Sequence, residues 1–183
     1  MEFLKGKLLI AAPQLADPNF AQTVVLMIEH DENGAFGVVL NRPTGRTVKE
    51  LWDELAEDPC PCEQRINVGG PVTGPLLAVH QQHSLAEAEI MPGVFIAATR
   101  EHLEQLVREP AAEFRLFSGY AGWGEGQLEK EMRMGGWITT QATADYIFDK
   151  TADLWSRVSR DITRDVLGAE KTLKHFPDDP SVN

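Results

Sequence analysis

The chain of 183 residues carries 17 Lys and Arg against 28 Asp and Glu, a formal net charge of −11 at pH 7. That length suits one domain, residues 1–168, with a polar tail at 169–183, and lets ~70% of the unfolded chain's surface be buried; the scattered basic residues leave nucleic acid and anionic lipid unfavourable as direct partners. Two cysteines rule out a disulfide framework, and the apolar run from Leu8 to Ala12 is too short for a signal core or a membrane span, so cytoplasmic residence without membrane contact is expected.

In chain order, Lys7 to Ala12 reads as a strand and Pro13 to Phe20 as a loop held by Asp17-Pro18-Asn19. Thr23 to Ile28 and Phe36 to Leu40 read as paired strands. Between them, Asn33-Gly34 is the pair favoured in a type I′ hairpin turn, whose central residues need positive φ. Asn41-Arg42-Pro43-Thr44 leaves the second strand. Thr47 and Glu50 then form a capping box for a helix whose apolar face is Val48, Leu51, Trp52 and Leu55.

Residues 56–65 form an acidic loop containing Cys60-Pro61-Cys62. A zinc site needs four ligands, usually in C-x-x-C spacing, so this segment reads as an exposed loop with free thiols. Ile66 to Val68 is a short strand ending in the turn signal Gly69-Gly70-Pro71, and Leu76 to Val79 is the next strand. It runs into His80 and His83, read as surface histidines, and a second capping-box match at Ser84 and Glu87. On a helix the two histidines with Glu87 or Glu89 would approximate a metal site, but at a strand end their side chains alternate. Gly93 to Ala98 reads as a buried strand, and Thr99 as the cap of a helix over 100–109 ended by Pro110.

The segment Phe117 to Trp137 holds six of the fifteen glycines and two of the four tryptophans. A short strand, Phe114 to Phe117, runs into Gly119, Gly122, Gly124 and Gly126, interleaved with Tyr120 and Trp123. Glycine is permitted where φ is positive or another backbone comes close, so this reads as a tight loop anchored by its aromatics. Gln127 to Met132 are strong helix formers, and Gly135-Gly136 stops that helix. A strand, a glycine loop and a helix start are the parts of an anion site, but the spacing fits neither phosphate-binding fingerprint, and Glu125, Glu129 and Glu131 would repel a phosphate there. Trp137 to Thr140 reads as the last strand and Ala144 to Phe148 as a helical turn. A final helix from about Ala152 to Leu167 puts Leu154, Trp155, Val158, Ile162 and Val166 on one face, with Gly168 closing it.

The segments GKLLIAAPQLADPNFAQTVVLMIEHDENGAFGVVLNRP, NVGGPV and GYAGWGEGQLEKE together resemble the YqgE/AlgH family of bacterial proteins over about residues 5–160. The resemblance implies an α+β fold with a mixed, bifurcated, partly barrel-like β-sheet surrounded by helices. It carries no established activity and no catalytic residues to transfer, although some members bear the label of transcriptional regulator.

Searches for enzyme chemistry come out negative. Ser118 lacks the flanking glycine of a nucleophile elbow, no H-E-x-x-H occurs, and His30-Asp31-Glu32 reads as a charged loop tip. No cofactor or metal is implied. The residues expected to meet a protein or small-molecule partner are Asn41, Arg42, Gly119, Tyr120, Gly122, Trp123, Gly124 and Gln127. A non-enzymatic binding or regulatory module is the favoured reading, and an enzyme acting on a small molecule at the glycine-rich loop is the alternative. Direct DNA binding ranks last, since no basic recognition helix is visible.

Overall fold

The computed structural model describes residues 3–55, 60–109, 113–151 and 153–173, with side chains as far as Leu167. It is an α+β fold built on a curled half-barrel sheet. Ten strands are present among the described residues: β1 Lys7–Ala11, β2 Val24–Asp31, β3 Gly34–Val39, β4 Pro43–Thr47, β5 Arg65–Val68, β6 Val72–His80, β7 Ala88–Met91, β8 Val94–Ala97, β9 Phe114–Gly124 and β10 Trp137–Gln141. The helices are α1 Val48–Leu55, α2 Arg100–Arg108, α3 Gln127–Arg133, α4 Ala144–Ile147 and α5 Leu154–Leu173.

The main path runs β10-β1-β2-β3-β9-β6-β8-β7, with β5 and β4 branching from β9. The fork arises because β9 is long enough to change partners along one edge. Its first half pairs parallel with β5 at Phe117 and Ser118, and its second half pairs antiparallel with β3 from Ala121 to Gly124. The opposite edge of its first half is held by β6, from Phe114 opposite His80 to Tyr120 opposite Val72.

Side chains alternate across a strand, so the sheet feeds cores on both faces. Leu8, Ile10, Val24, Leu26 and Ile28 pack with Phe117, Leu154 and Val158 beneath α4 and α5. Their sequence neighbours Leu9, Ala11, Val25 and Met27 pack on the other side with Trp123, Leu128 and Trp137. A third cluster joins Val48 and Trp52 of α1 to Leu103, Leu106 and Val107 of α2 over Ile66, Ala78, Phe114 and Leu116. Double-sided burial is why β1 and β2 read as unbroken apolar runs.

Several expectations hold in atomic detail. Thr47 N–H donates to the Glu50 carboxylate at 2.8 Å and Glu50 N–H to the Thr47 hydroxyl at 3.2 Å, so the capping box is made. Asp17 Oδ1 accepts from Asn19 N–H at 2.8 Å and turns the 13–20 loop. Gly135, at φ +75°, ends α3 while Gly136 N–H reaches back to Glu131 O at 3.0 Å, the paired bonding of a Schellman cap.

Others are corrected. The glycine segment is not a loop: β9 continues through Gly119, Gly122 and Gly124, and only Glu125 and Gly126 turn. Asp31 pairs with Gly34, so the hairpin turns on Glu32 and Asn33, and Asn33 does not adopt positive φ. Asn41 to Thr44 were read as leaving the second strand towards a helix, but Pro43–Thr47 forms β4 before α1 begins. Ser84 and Glu87 start no α-helix. A single 3-10 turn spans His83–Leu85, and Glu87 instead accepts from Thr99 N–H at 2.8 Å, capping α2 from outside while the Thr99 side chain makes no cap bond.

Buried residues were also read as exposed. His30 is no loop tip but lies in β2 and is buried; His80 is fully buried at the end of β6; Cys60 is buried, with only Cys62 half-exposed. In α1, Leu55 faces solvent. Helix α5 runs through Gly168 to Leu173, so that glycine closes nothing and the first residues of the expected tail are helical; 174–183 lie outside the described residues. Val166, placed on the buried face, is exposed. Among the described residues no helix is long and apolar enough to cross a membrane.

Candidate functional site

Parity along β9 separates its aromatics. Tyr120 is half-buried, edge-on to Phe36 at 6.0 Å, with its ring lying over Gly74 and Gly122, where a side chain would crowd it. Trp123 points to the other face and is 5% exposed, stacked on Phe20 at 5.9 Å and edge-on to Trp137 at 5.9 Å. Both indoles are satisfied by one carboxylate: Trp123 Nε1 donates to Glu131 Oε2 at 3.0 Å and Trp137 Nε1 to the same oxygen at 2.9 Å. Gln127 Nε2 donates to Glu131 Oε1 at 3.0 Å, and Gln127 Oε1 accepts from Gly124 N–H at 3.1 Å. Trp123 is therefore an anchor of the fold, while Gly124 and Gln127 remain at the surface.

Gly119 has φ +72° and sits where β9 shifts register against β6, with its Cβ position occupied by the Val72 carbonyl. Asn41 and Arg42 serve a different corner. Gln22 holds φ +56°, the one positive value at a non-glycine among the described residues. Asn41 clamps it by accepting from Val24 N–H at 2.9 Å and donating to Gln22 O at 2.8 Å, while Arg42 Nη2 donates to Ala21 O at 2.7 Å. The eight expected residues thus divide among three places: the 21–24 corner, the β9 fork, and the start of α3.

Against the α3 end lies a cleft of about 390 Å³. Leu15, Phe20 and Trp137 line it with Gln14, Asp17, Gln127 and Glu131, and Met134, 75% exposed, stands at its edge. Asn41, Arg42 and His80 do not line it.

A second cavity of about 300 Å³ opens at the fork, lined by Pro43, Gln64, Arg65, Asn67, Arg115 and Lys150. Arg115 is 6% exposed, yet among the described residues its guanidinium donates only to neutral acceptors. Nη1 donates to Ile147 O at 3.0 Å and Asp149 O at 2.9 Å; Nη2 donates to Asn67 Oδ1 at 2.9 Å and to Leu40 O. Burial brings its pKa down to about 10, with the Asp149 charge acting against that fall. The Asp149 carboxylate itself is bound to Arg157 at 2.7 Å and to Thr151 N–H. Sequence reasoning missed Arg115, although a cation inside the apolar string Phe114-Arg115-Leu116-Phe117 was a visible anomaly.

The histidines have structural partners. His30 Nδ1 accepts from Leu4 N–H at 3.1 Å and Nε2 pairs with Glu129 at 2.9 Å, tying the N-terminal segment to α3. His80 Nδ1 accepts from Gln82 N–H, and its Nε2 has no hydrogen-bond partner among the described residues. Burial first, and then the nearby His102, lower the His80 pKa. Partial burial opposes ionisation of Glu87, but hydrogen bonds from Thr99, Ala98 and His102 bring its carboxyl down to about 2. Among the described residues no three His, Cys, Asp or Glu side chains gather closely enough to hold a metal.

Comparison with known proteins agrees with this architecture. The AlgH-like family pattern matches residues 8–167. A UPF0301 protein of Chlorobaculum tepidum is 40% identical over 172 residues, covering 87% of each chain, and one of Streptomyces coelicolor is 37% identical over 98% of this chain and 95% of its own. The solution structure of the AlgH protein from Pseudomonas aeruginosa superposes with a TM-score of 0.74 at 33% identity, covering 97% of this chain and 96% of that one. A Corynebacterium diphtheriae crystal structure gives 0.69 at 25% identity over 88% of both chains. With a matching pattern over most of its length, relatives at this identity and a fold that superposes on theirs, the chain belongs to the AlgH-like family.

Proposed function

We propose that this protein is a cytoplasmic binding module whose recognition site is the cleft between the 13–20 loop and α3. The observation that carries the reading is the cleft itself: at about 390 Å³ it falls within the ~300–1,000 Å³ range of small-molecule sites. Its floor is apolar, from Leu15, Phe20 and Trp137, and its rim offers acceptors on Gln14, Asp17, Gln127 and Glu131. That chemistry suits a small ligand with an apolar body and a hydrogen-bond donor. Gln127 is held at both ends of its amide, so the rim is preorganised. The free thiols Cys60 and Cys62 are consistent with a reducing compartment.

The test is a fragment screen by protein-observed NMR. The reading requires hits whose amide shifts centre on Leu15, Gln127 and Met134 and vanish in Leu15→Glu. Hits that all map elsewhere would remove it, and chemical turnover of a hit would replace binding by catalysis. Regulation of transcription, if this protein takes part in it, then passes through a partner rather than through DNA. A net charge of −11 opposes duplex contact, and a salt-dependent shift of duplex DNA at micromolar protein would reverse that order.

A further inference from the structure

The second cavity has chemistry opposite to that of the protein around it. The chain as a whole carries −11, yet the described residues lining the cavity at the fork include three cations, Arg65, Arg115 and Lys150, two amides, Gln64 and Asn67, and among them no carboxylate. A buried guanidinium normally sits against a carboxylate, because its desolvation costs several kcal/mol otherwise. Arg115 is instead held by three carbonyl oxygens and the Asn67 amide, neutral groups that fix its plane without cancelling its charge. The carboxylate whose charge acts on it, on Asp149, is committed to Arg157 and to Thr151 N–H. The local field in the cavity is therefore positive and only partly balanced.

The fold gives each group its place. Arg115 is fixed on β9, Gln64 and Arg65 lie at the start of β5, and Lys150 stands on the segment joining α4 to α5. Three chain segments therefore converge on one concave space. Its volume of about 300 Å³ corresponds to roughly ten waters at ~30 Å³ each, enough for an anionic group with a small organic body. Arg65 supplies planar donors and Lys150 a mobile point charge, the usual combination for an oxyanion, while Arg115, whose four terminal N–H groups are already donated, contributes its charge.

We propose that this cavity is a binding site for a small oxyanion ligand, a phosphoryl or carboxylate compound, with Arg115 as the fixed buried cation and Arg65 and Lys150 as the rim charges. The site is separate from the α3 cleft and stands whether or not that cleft binds. The local positive potential draws the anion in against the repulsion of the whole chain, so affinity falls as ionic strength rises.

The experiment is a titration of the full chain with inorganic phosphate and, in parallel, with acetate, followed by amide NMR at low salt. Saturating shifts centred on Arg65, Asn67, Arg115 and Lys150 are expected from at least one of the two, and the one that saturates at lower concentration assigns the group. Both rim cations are exposed, so the double variant Arg65→Glu, Lys150→Glu should keep the parent thermal midpoint while weakening binding by about tenfold or more. The proposal is overturned if neither anion saturates at those amides, or if the folded double variant binds as the parent does.

Discussion

Glu131 shows how much one side chain organises around the start of α3. Its two oxygens accept from Trp123, Trp137 and Gln127, so one carboxylate joins β9, β10 and the helix that connects them. Glu131→Ala leaves the indole N–H groups of two buried tryptophans without an acceptor. It should cost about 2 kcal/mol in urea unfolding with an unchanged slope, whereas Glu131→Gln, which keeps an acceptor, should cost less. His80 makes a second prediction, on pH. Its folded pKa lies below the ordinary value of 6.5, so above that pH both states are neutral and the residue contributes nothing. As pH falls below 6.5 the unfolded chain takes the proton first, and stability is lost until the folded pKa is reached. The thermal midpoint should fall over that window, and His80→Gln should flatten the decline. Neither role was legible in the sequence: the partners of Glu131 lie only four to eight residues away, but Trp123 read as part of a loop rather than of β9, and the burial of His80 comes from distant strands. The capping box at Thr47 and Glu50 was legible, since both partners lie within one turn.

At the level of elements, β9 is the strand on which the sheet divides. Its glycines read as a loop because glycine is a local turn signal, but in the strand Gly119 lets the Val72 backbone come close, Gly122 leaves room for the Tyr120 ring, and Gly124 meets nothing within 4 Å. Gly69 crosses β9 so tightly that a Cβ would strike the Gly119 carbonyl, whereas at Gly45 it would meet nothing within 4 Å. Gly69→Ala should therefore destabilise by about 2–3 kcal/mol and Gly45→Ala by less than about 0.5 kcal/mol, as measured by chemical denaturation. Equal effects would mean that the crossing relaxes freely. The strands flanking this fork were legible from their apolar runs, and the hairpin of β2 and β3 was placed correctly although its turn residues were not. What sequence periodicity could not supply was the exchange of partners along β9, a property of two edges rather than of one chain segment. The end of α5 was misplaced for a related reason: Gly168 is a stop signal only where the helix has no cause to continue.

For the molecule as a whole, the buried Arg115 has a bearing on the order of assembly. Its acceptors lie 32, 34, 48 and 75 residues away, at Ile147, Asp149, Asn67 and Leu40. Loops of that span close slowly, and the guanidinium can shed its water only when all four walls have arrived. We expect the cluster they form to close in the last stage of folding, after the barrier has been crossed. A lesion there should be felt on the way out rather than on the way in: Asn67→Ala should leave the refolding limb of a chevron plot in place and speed unfolding by about tenfold. The same late closure makes Arg115 the latch on the finished structure, setting how long a native molecule persists more than how quickly one is made.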